Sequence, residues 1–94
     1  MDNFDQILFA PSDVAQELAK RLKAIRKRRK ITQQQLAARS NVSYASLRRF
    51  ENTGLISLES FIKISMELGV VDDLKDLFTH PVYNNIEEVI NAKP

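Results

Sequence analysis

The sequence has no cysteine and no tryptophan, only two glycines, and a single histidine. Without cysteine, the chain has neither disulfides nor thiolate metal ligands, so its stability must come from packing or from a partner subunit. His80 cannot complete an H-x-x-x-H metal motif, and Gly54 and Gly69 are too few for a glycine-rich phosphate loop. We therefore expect no enzymatic activity, no metal and no cofactor.

Long apolar runs are also missing, which argues against a membrane-spanning segment. The first five residues are acidic where a signal peptide would be basic, so we expect a cytoplasmic protein. The 94 residues, of which 44% are hydrophobic and 28% charged, suit one small globular domain.

Charge is distributed unevenly along the chain, although the net charge is only +2. Residues 12–53 carry eleven Lys/Arg against three acidic residues, whereas both flanking segments are acidic. A basic block inside a nearly neutral protein is typical of polyanion binding, but solvated lysines alone produce a similar signal.

Apolar residues at helical spacing and capping side chains predict an all-α fold. The first helix begins near Pro11 and a capping side chain at Ser12 or Asp13, and it should end around Lys30. Its expected inward stripe consists of Val14, Leu18, Leu22 and Ile25.

A helix-turn-helix is predicted next. Thr32 and Gln35 form a capping box that opens a second helix, in which Leu36 and Ala37 face inward. This helix ends at Asn41, since asparagine tolerates the left-handed conformation, and Ser43 caps a third helix. Two short helices separated by such a turn are the pattern of a helix-turn-helix.

Two more helices complete the predicted five. Ser57 caps a helix that Gly69 closes, and an acidic segment from Val71 to Phe78 follows. The expected inward residues are Leu58, Phe61, Ile62, Ser65, Leu68, Leu74, Leu77 and Phe78. The predicted organisation is an N-terminal arm (1–11), a helix-turn-helix domain (12–78), and a C-terminal extension (79–94) that either dimerises or is disordered.

The third helix separates into two faces when projected at about 100° per residue. Its inward residues are predicted to be Ser46, Leu47 and Phe50, with Glu51 at the border. The outward arc holds Tyr44, Ala45, Arg48 and Arg49. Arginine matches the two acceptors of guanine, and alanine or the edge of tyrosine can meet a thymine methyl. The arc therefore suggests contact with bases of double-stranded DNA, and the alternative is a solvated face.

Residues 17–78 contain three motifs at fixed spacing, which are "TQQQLA" (32–37), "NVS" (41–43) and "FEN" (50–52). With these motifs, this part of the chain resembles the Cro/phage-repressor, or XRE, family. The resemblance implies a lambda-repressor-like domain and a sequence-specific DNA-binding regulator. It implies base contacts from Tyr44, Ala45 and Arg49, with Arg48 on bases or phosphate. Further implied phosphate contacts are Gln33, which also braces the third helix, Ser43 and Asn52. It also implies a structural ion pair between Arg26 and Glu51.

Some positions depart from the family pattern. Lys30 and Asn41 stand where glycine is usual, and the loop after the third helix is one residue longer, which leaves contacts from Thr53 and Gly54 open. In the basic run 20–30, outward cations either neutralise phosphates, as we predict for Lys27 and Arg28, or form a solvated face. The other outward cations of this run are Lys20 and Lys23.

Two functions remain open from the sequence. The first is a repressor that binds a palindromic operator as a homodimer, because one short helix reads few base pairs. The second is an antitoxin that binds a partner and regulates its own gene, since "FAPSDVA" (9–15) is similar to HipB-type antitoxins, which bind a HipA kinase toxin. Candidate dimer contacts are Leu55, Ile56, Phe4–Phe9 and Val82–Ile90, and the alternative for the two end segments is disordered tails.

Overall fold

The computed structural model describes residues 10–81, which contain α-helices and no strand. The helices are α1 (Pro11–Arg28), α2 (Gln33–Ser40), α3 (Tyr44–Thr53), α4 (Leu58–Glu67) and α5 (Val71–Lys75). The all-α prediction is confirmed for this part of the chain. Most of the predicted arm and extension, including Phe4–Phe9 and Val82–Ile90, lies outside the described residues. Within residues 10–81, no helix has the length and apolar character to cross a membrane.

Capping side chains begin α2, α3 and α4. The Thr32 hydroxyl accepts a hydrogen bond from the Gln35 N–H at 3.0 Å, and the Gln35 side chain accepts the Thr32 N–H at 2.9 Å. Ser43 and Ser57 each accept the N–H three residues ahead, at 3.0 and 3.1 Å. These bonds satisfy backbone donors that a helix start leaves without partners, so the predicted caps of these three helices are confirmed.

The predicted start of α1 near Pro11, with a capping side chain at Ser12 or Asp13, is confirmed. Ala10 is the N-cap and Pro11 is the first helical residue. The capping carboxylate is that of Asp13, inside the first turn, which accepts the Ala10 N–H at 3.0 Å. After α1, Lys30 adopts φ 58° and Asn41, after α2, adopts φ 57°. Both residues therefore take the left-handed conformation that glycine takes most easily.

Helix α3 lies at the centre of the core and packs against α1 and α2, while α4 packs against α2 and α5. Leu47 and Phe50 of α3 are 0% and 1% exposed. The Phe50 and Phe61 rings meet edge to face, with their centroids 5.8 Å apart. The buried hydrophobic residues are Ala19, Leu22, Leu36, Ala37, Val42, Leu47, Phe50, Ile64 and Leu68.

The predicted inward stripe of α1 is partly wrong. Val14 and Leu18 are 48% and 39% exposed, whereas Ala19 is 1% exposed. The reason is the close approach of α3. Gly54, at the end of α3, lies so near α1 that an added Cβ would be 2.7 Å from the backbone carbon of Ala15. Only small side chains fit at this crossing, so the larger ones are displaced sideways.

Other expected inward residues are also exposed. Leu58 begins α4 beyond the edge of the core and is 73% exposed, and Ile64, absent from the prediction, is completely buried. Helix α5 ends at Lys75, earlier than expected, so Leu77 and Phe78 lie in the following turn. Phe78 has φ 62° and is 94% exposed. Ser46 of α3 was predicted to face inward and is exposed as well.

Candidate nucleic-acid interface

The outer side of α3 carries the side chains predicted to contact bases. Since Leu47 and Phe50 fix the inner side of this helix, Tyr44, Ala45, Arg48 and Arg49 all lie exposed on the other side. Together with Asn52 and Thr53 they line one shallow recess. We call these six residues the recognition face. The structure thus brings the predicted base-contacting residues onto one continuous surface.

The two arginines of the recognition face are available to an anion. Among the described residues, no carboxylate forms an ion pair with Arg48 or Arg49. The Arg48 guanidinium carbon lies 5.8 Å from the centre of the Tyr44 ring, one turn earlier on the helix, within the range of a cation–π contact. A helix with its side chains is about 10–12 Å across, and the major groove is about 12 Å wide, so the groove admits a helix such as α3.

Beneath the recognition face, a buried ion pair ties α3 to α1. The Glu51 side chain is 2% exposed and accepts hydrogen bonds from Nε and Nη2 of Arg26 at 2.7 and 3.0 Å. Nη1 of Arg26 donates to the Ile31 carbonyl at 2.8 Å. Such a paired geometry is among the stronger charge-assisted contacts in proteins. Arg26 and Glu51 therefore hold the C-terminal half of α3 against the end of α1.

Gln33 adds α2 to this arrangement. Its amide Nε2 donates to Oε1 of Glu51 at 2.8 Å, so Gln33, Glu51 and Arg26 form one network, which we call the brace. A glutamine amide has two N–H groups, and the second is not needed for Glu51. The brace joins the first residue of α2 to α3, which is the contact that the family resemblance implies for Gln33.

Ser43 and Ser46 share one hydroxyl system at the start of α3. Ser43 accepts the Ser46 N–H at 3.0 Å and donates its own hydrogen to Ser46 Oγ at 2.8 Å. Because two hydroxyls can exchange donor and acceptor roles, this pair uses one of its two hydrogens internally and leaves the other, on Ser43 or Ser46, for an outside acceptor. Sequence reasoning missed Ser46, because its position on the helical wheel lies next to Leu47 and Phe50.

The longer loop after α3 is accommodated inside the domain. The helix continues through Thr53, whose hydroxyl donates to the Arg49 carbonyl at 2.7 Å and accepts the Leu55 N–H at 3.1 Å. Gly54 closes the helix with φ 84°. The Thr53 hydroxyl is thus occupied within the chain, while the Asn52 side chain remains at the edge of the recess.

The cations of the basic run in α1 differ in their burial. Arg26 is 8% exposed and belongs to the brace, whereas Lys27 and Arg28 are exposed in the last turn of the same helix. Lys23 is half-buried and Lys20 exposed. The two predicted phosphate contacts therefore directly follow the residue that holds α3 in place.

Helices α2 and α3 form a helix-turn-helix. Residues 41–43 join them, and α3 is the second helix of the motif, whose outer side is exposed. A family model described as helix-turn-helix matches residues 22–72, a little over half of the chain. The chain belongs to the Cro/C1-type, or XRE, helix-turn-helix family, whose members are DNA-binding transcriptional regulators. No curated protein matches the sequence. The resemblance predicted from the three sequence motifs is confirmed.

Proposed function

We propose that this protein is a transcriptional repressor that binds a palindromic operator as a homodimer. The observation that carries the proposal is the recognition face, a cationic helix side held outward by completely buried Leu47 and Phe50. Because those two residues cannot leave the core without exposing it, α3 presents the same side chains to any partner.

In this proposal the residues of α3 read base edges. Arg48 and Arg49 each offer two parallel donors to O6 and N7 of a guanine, and Tyr44 and Ala45 contact thymine methyl groups. A two-donor contact with a base discriminates by about 1–3 kcal/mol, so a few such contacts account for sequence preference.

A second set of residues contacts the phosphates and fixes the register of α3. This set consists of Gln33, Ser43, Asn52, Lys27 and Arg28. The amide of Gln33 supports this role best, since one N–H holds Glu51 and the other is available for a phosphate oxygen. Such contacts carry no sequence information, but they orient the reading helix.

Two-fold pairing follows from the small size of one reading helix. A single α3 covers only a few base pairs, and a dimer on a palindrome whose half-sites lie about 34–36 Å apart reads twice as many. Binding at such a site blocks transcription of the adjacent gene. A regulator of transcription must be in the compartment that holds the DNA, which agrees with the cytoplasmic location expected from the sequence. Pairing with a HipA-like toxin stays a prediction that no structural observation favours.

The test is selection of bound duplexes from a random pool, with the wild-type protein, Arg49→Ala, and Lys75→Ala on α5 as a control. Loss of a guanine at one position of each half-site in Arg49→Ala alone assigns Arg49 to that base. Weaker binding with the same preference would assign it to phosphate instead. Failure of the wild-type protein to enrich any duplex would overturn the proposed function.

A further inference from the structure

An apolar groove on another side of the domain has no role in DNA reading. It lies between α1, α4 and α5 and has a volume of about 310 Å³. Its apolar lining includes Leu18, Ile25, Phe61, Val70, Leu74 and Leu77. None of these residues belongs to the recognition face. Leu18 and Leu77, which were predicted to be core residues, leave 39% and 54% of their surface exposed here.

An exposed aromatic residue directly follows the last groove residue in the sequence. Phe78 directly follows the groove residue Leu77, and it is 94% exposed in a backbone conformation, φ 62°, that is rare for a bulky residue. The turn that carries it is hydrogen-bonded, since the Thr79 hydroxyl donates to the Asp76 carbonyl at 2.9 Å and to its carboxylate at 3.1 Å. A hydrogen-bonded turn thus keeps a phenylalanine in water directly after a groove residue.

The apolar groove, the exposed Phe78 and the charged residues that line the groove fit a second copy of the same chain. A two-fold interface places the same patch of both subunits in contact, so a patch must complement itself. Here Phe78 is joined directly to the groove residue Leu77, so one patch can include both the groove and the phenylalanine. The groove is also lined by Arg21 on α1 and Asp73 on α5, which have opposite charges. An identical partner can therefore match both the apolar and the charged parts.

We propose that this patch is the homodimer interface, with Phe78 of each subunit in the groove of the other, and with Arg21 facing the partner's Asp73. The inference rests on the homodimer of the proposed function and names its surface. Arg21 is already 3.3 Å from Glu17 of its own helix, but both side chains of that pair are at least half exposed. The arginine can thus turn to a partner at little cost.

This interface differs from the dimer contacts expected from the sequence. Ile56 packs partly against the core, and its remaining surface lines a recess that it shares with Leu55. Leu55 lies in a recess beside Arg49, close to the recognition face. An interface at the groove leaves that recess and α3 open to DNA, whereas an interface at Leu55 would place a partner beside the reading helix.

The first test compares Phe78→Ser with Leu58→Ser by sedimentation equilibrium. Both leucine and phenylalanine are more than 70% exposed, so neither change should unfold the domain, but Leu58 does not line the groove. Phe78→Ser should raise the dimer dissociation constant on the order of 100-fold, since two phenylalanines leave apolar surroundings, and Leu58→Ser should not change it. A monomeric wild-type protein, or equal behaviour of the two variants, would overturn the inference.

The second test exchanges the rim charges. Arg21→Glu alone and Asp73→Lys alone should each weaken self-association by about 2- to 10-fold, because like charges then face each other twice across the two-fold axis. An equimolar mixture of the two variants should form a heterodimer of near wild-type affinity, since both pairs are then opposite in charge. Absence of that rescue would contradict the proposed pairing.

Dilution of the full chain distinguishes a second copy from residues 82–94 as the occupant of the groove. With a second copy in the groove, the mass should fall from dimer to monomer on dilution, and Phe78→Ser should move this transition to higher concentration. A full chain that stays monomeric at every concentration would overturn the proposal.

The DNA-binding proposal and the interface proposal fail separately. A monomeric Phe78→Ser variant should still bind a half-site, with unchanged base preference and without cooperative binding to the palindrome. A wild-type dimer that retards no duplex would overturn the proposed function and leave the interface intact. The opposite outcome is a protein that binds its operator normally, is monomeric in the absence of DNA and is unaffected by Phe78→Ser. It would overturn the interface and leave the proposed function intact.

Discussion

Arg26 in the brace and Arg49 on the recognition face carry the same guanidinium group in opposite surroundings. Arg26 is 8% exposed, with a carboxylate on one side of its guanidinium and a backbone carbonyl on the other. Arg49 is exposed and has no carboxylate partner among residues 10–81. The buried arginine makes three hydrogen bonds within the domain, whereas the exposed one is left for a partner.

This difference shows how one helix holds its position and still offers a surface. Glu51 and Arg49 are only two residues apart on α3, yet one side chain is drawn into the domain and the other points outward. We therefore expect the free energy of folding to depend on the brace, and the proposed DNA binding to depend on the recognition face. The predictions below test whether these two dependences can be separated.

Glu51→Ala should have the largest effect. Removing this carboxylate leaves the Arg26 charge buried with only the Ile31 carbonyl as a partner, which typically costs about 3–5 kcal/mol of folding stability. Urea denaturation measures the loss. Glu17→Ala is the matched control, because it removes the exposed i,i+4 pair with Arg21 and should cost less than about 0.5 kcal/mol. Equal stabilities of the two variants would mean that the brace is not a structural ion pair.

Gly54→Ala should be the next most damaging change. The residue has φ 84°, and an added Cβ would meet the α1 backbone at Ala15 C and Gln16 N at 2.7 and 2.8 Å. We expect a loss of at least about 2 kcal/mol from strain and from separation of α3 and α1. Gly69→Ala, at φ 78°, meets only the flexible Arg29 side chain at 3.0 Å and should lose about 1 kcal/mol. Thermal melting that ranks the two variants in the opposite order would contradict this packing.

Arg49→Lys should weaken DNA binding without changing stability. Lysine keeps the charge and loses the planar pair of donors, so we expect a loss of about 1–3 kcal/mol against the selected operator and a much smaller loss against random DNA. Fluorescence anisotropy measures both affinities, and a thermal melt checks the fold. A lowered melting temperature would show that the recognition face also contributes to folding, and the separation proposed above would not hold.

Gln33→Ala should affect both regions, because Gln33 belongs to the brace and is a predicted phosphate contact. Loss of its hydrogen bond to Glu51 should cost about 1–2 kcal/mol of stability, since the acceptor is charged, and operator affinity should fall by a similar amount. Gln34→Ala is the control, since the neighbouring glutamine is exposed and has no hydrogen bond to the brace. A change in affinity with no change in stability would show that the hydrogen bond from Gln33 to Glu51 does not stabilise the fold.

Replacing Lys27 and Arg28 by glutamate should have the smallest effect, which appears in the salt dependence of binding. Each phosphate contact contributes about 0.9 to the log–log slope of affinity against salt concentration. The double variant should lower the slope by up to about 1.8 per subunit and keep the base preference. An unaltered slope would identify these two residues as a solvated face of α1.

Local signals in the sequence predicted most of the helix limits. The Thr32–Gln35 capping box, the caps at Ser43 and Ser57, and the turn at Asn41 each depend on residues within a few positions of one another. The periodicity of α3 likewise predicted which side carries Arg48 and Arg49. These predictions succeeded because hydrogen bonds at helix ends and the spacing of side chains along a helix are set by nearby residues.

Burial was predicted less well, because it depends on which helix approaches which side. The spacing of Val14 and Leu18 suits a core stripe, but the end of α3 approaches α1 at Ala15, and Ala19 is the buried residue instead. Phe78 was predicted to be buried and is nearly fully exposed, since α5 ends at Lys75. Hydrophobicity alone does not distinguish a residue covered by its own chain from one that a partner could cover.

By itself, the sequence determined the helices, the helix-turn-helix and the outward direction of the cationic side of α3, because caps, turns and helical periodicity act over one or two turns of chain. Only the tertiary structure decided that Gln33 and Arg26 donate to the same Glu51 oxygen, that Ser46 faces outward, and that Leu18 and Leu77 border an open apolar groove. Those features join residues from different helices, and their positions follow from how closely the helices can pack rather than from the pattern along any one of them.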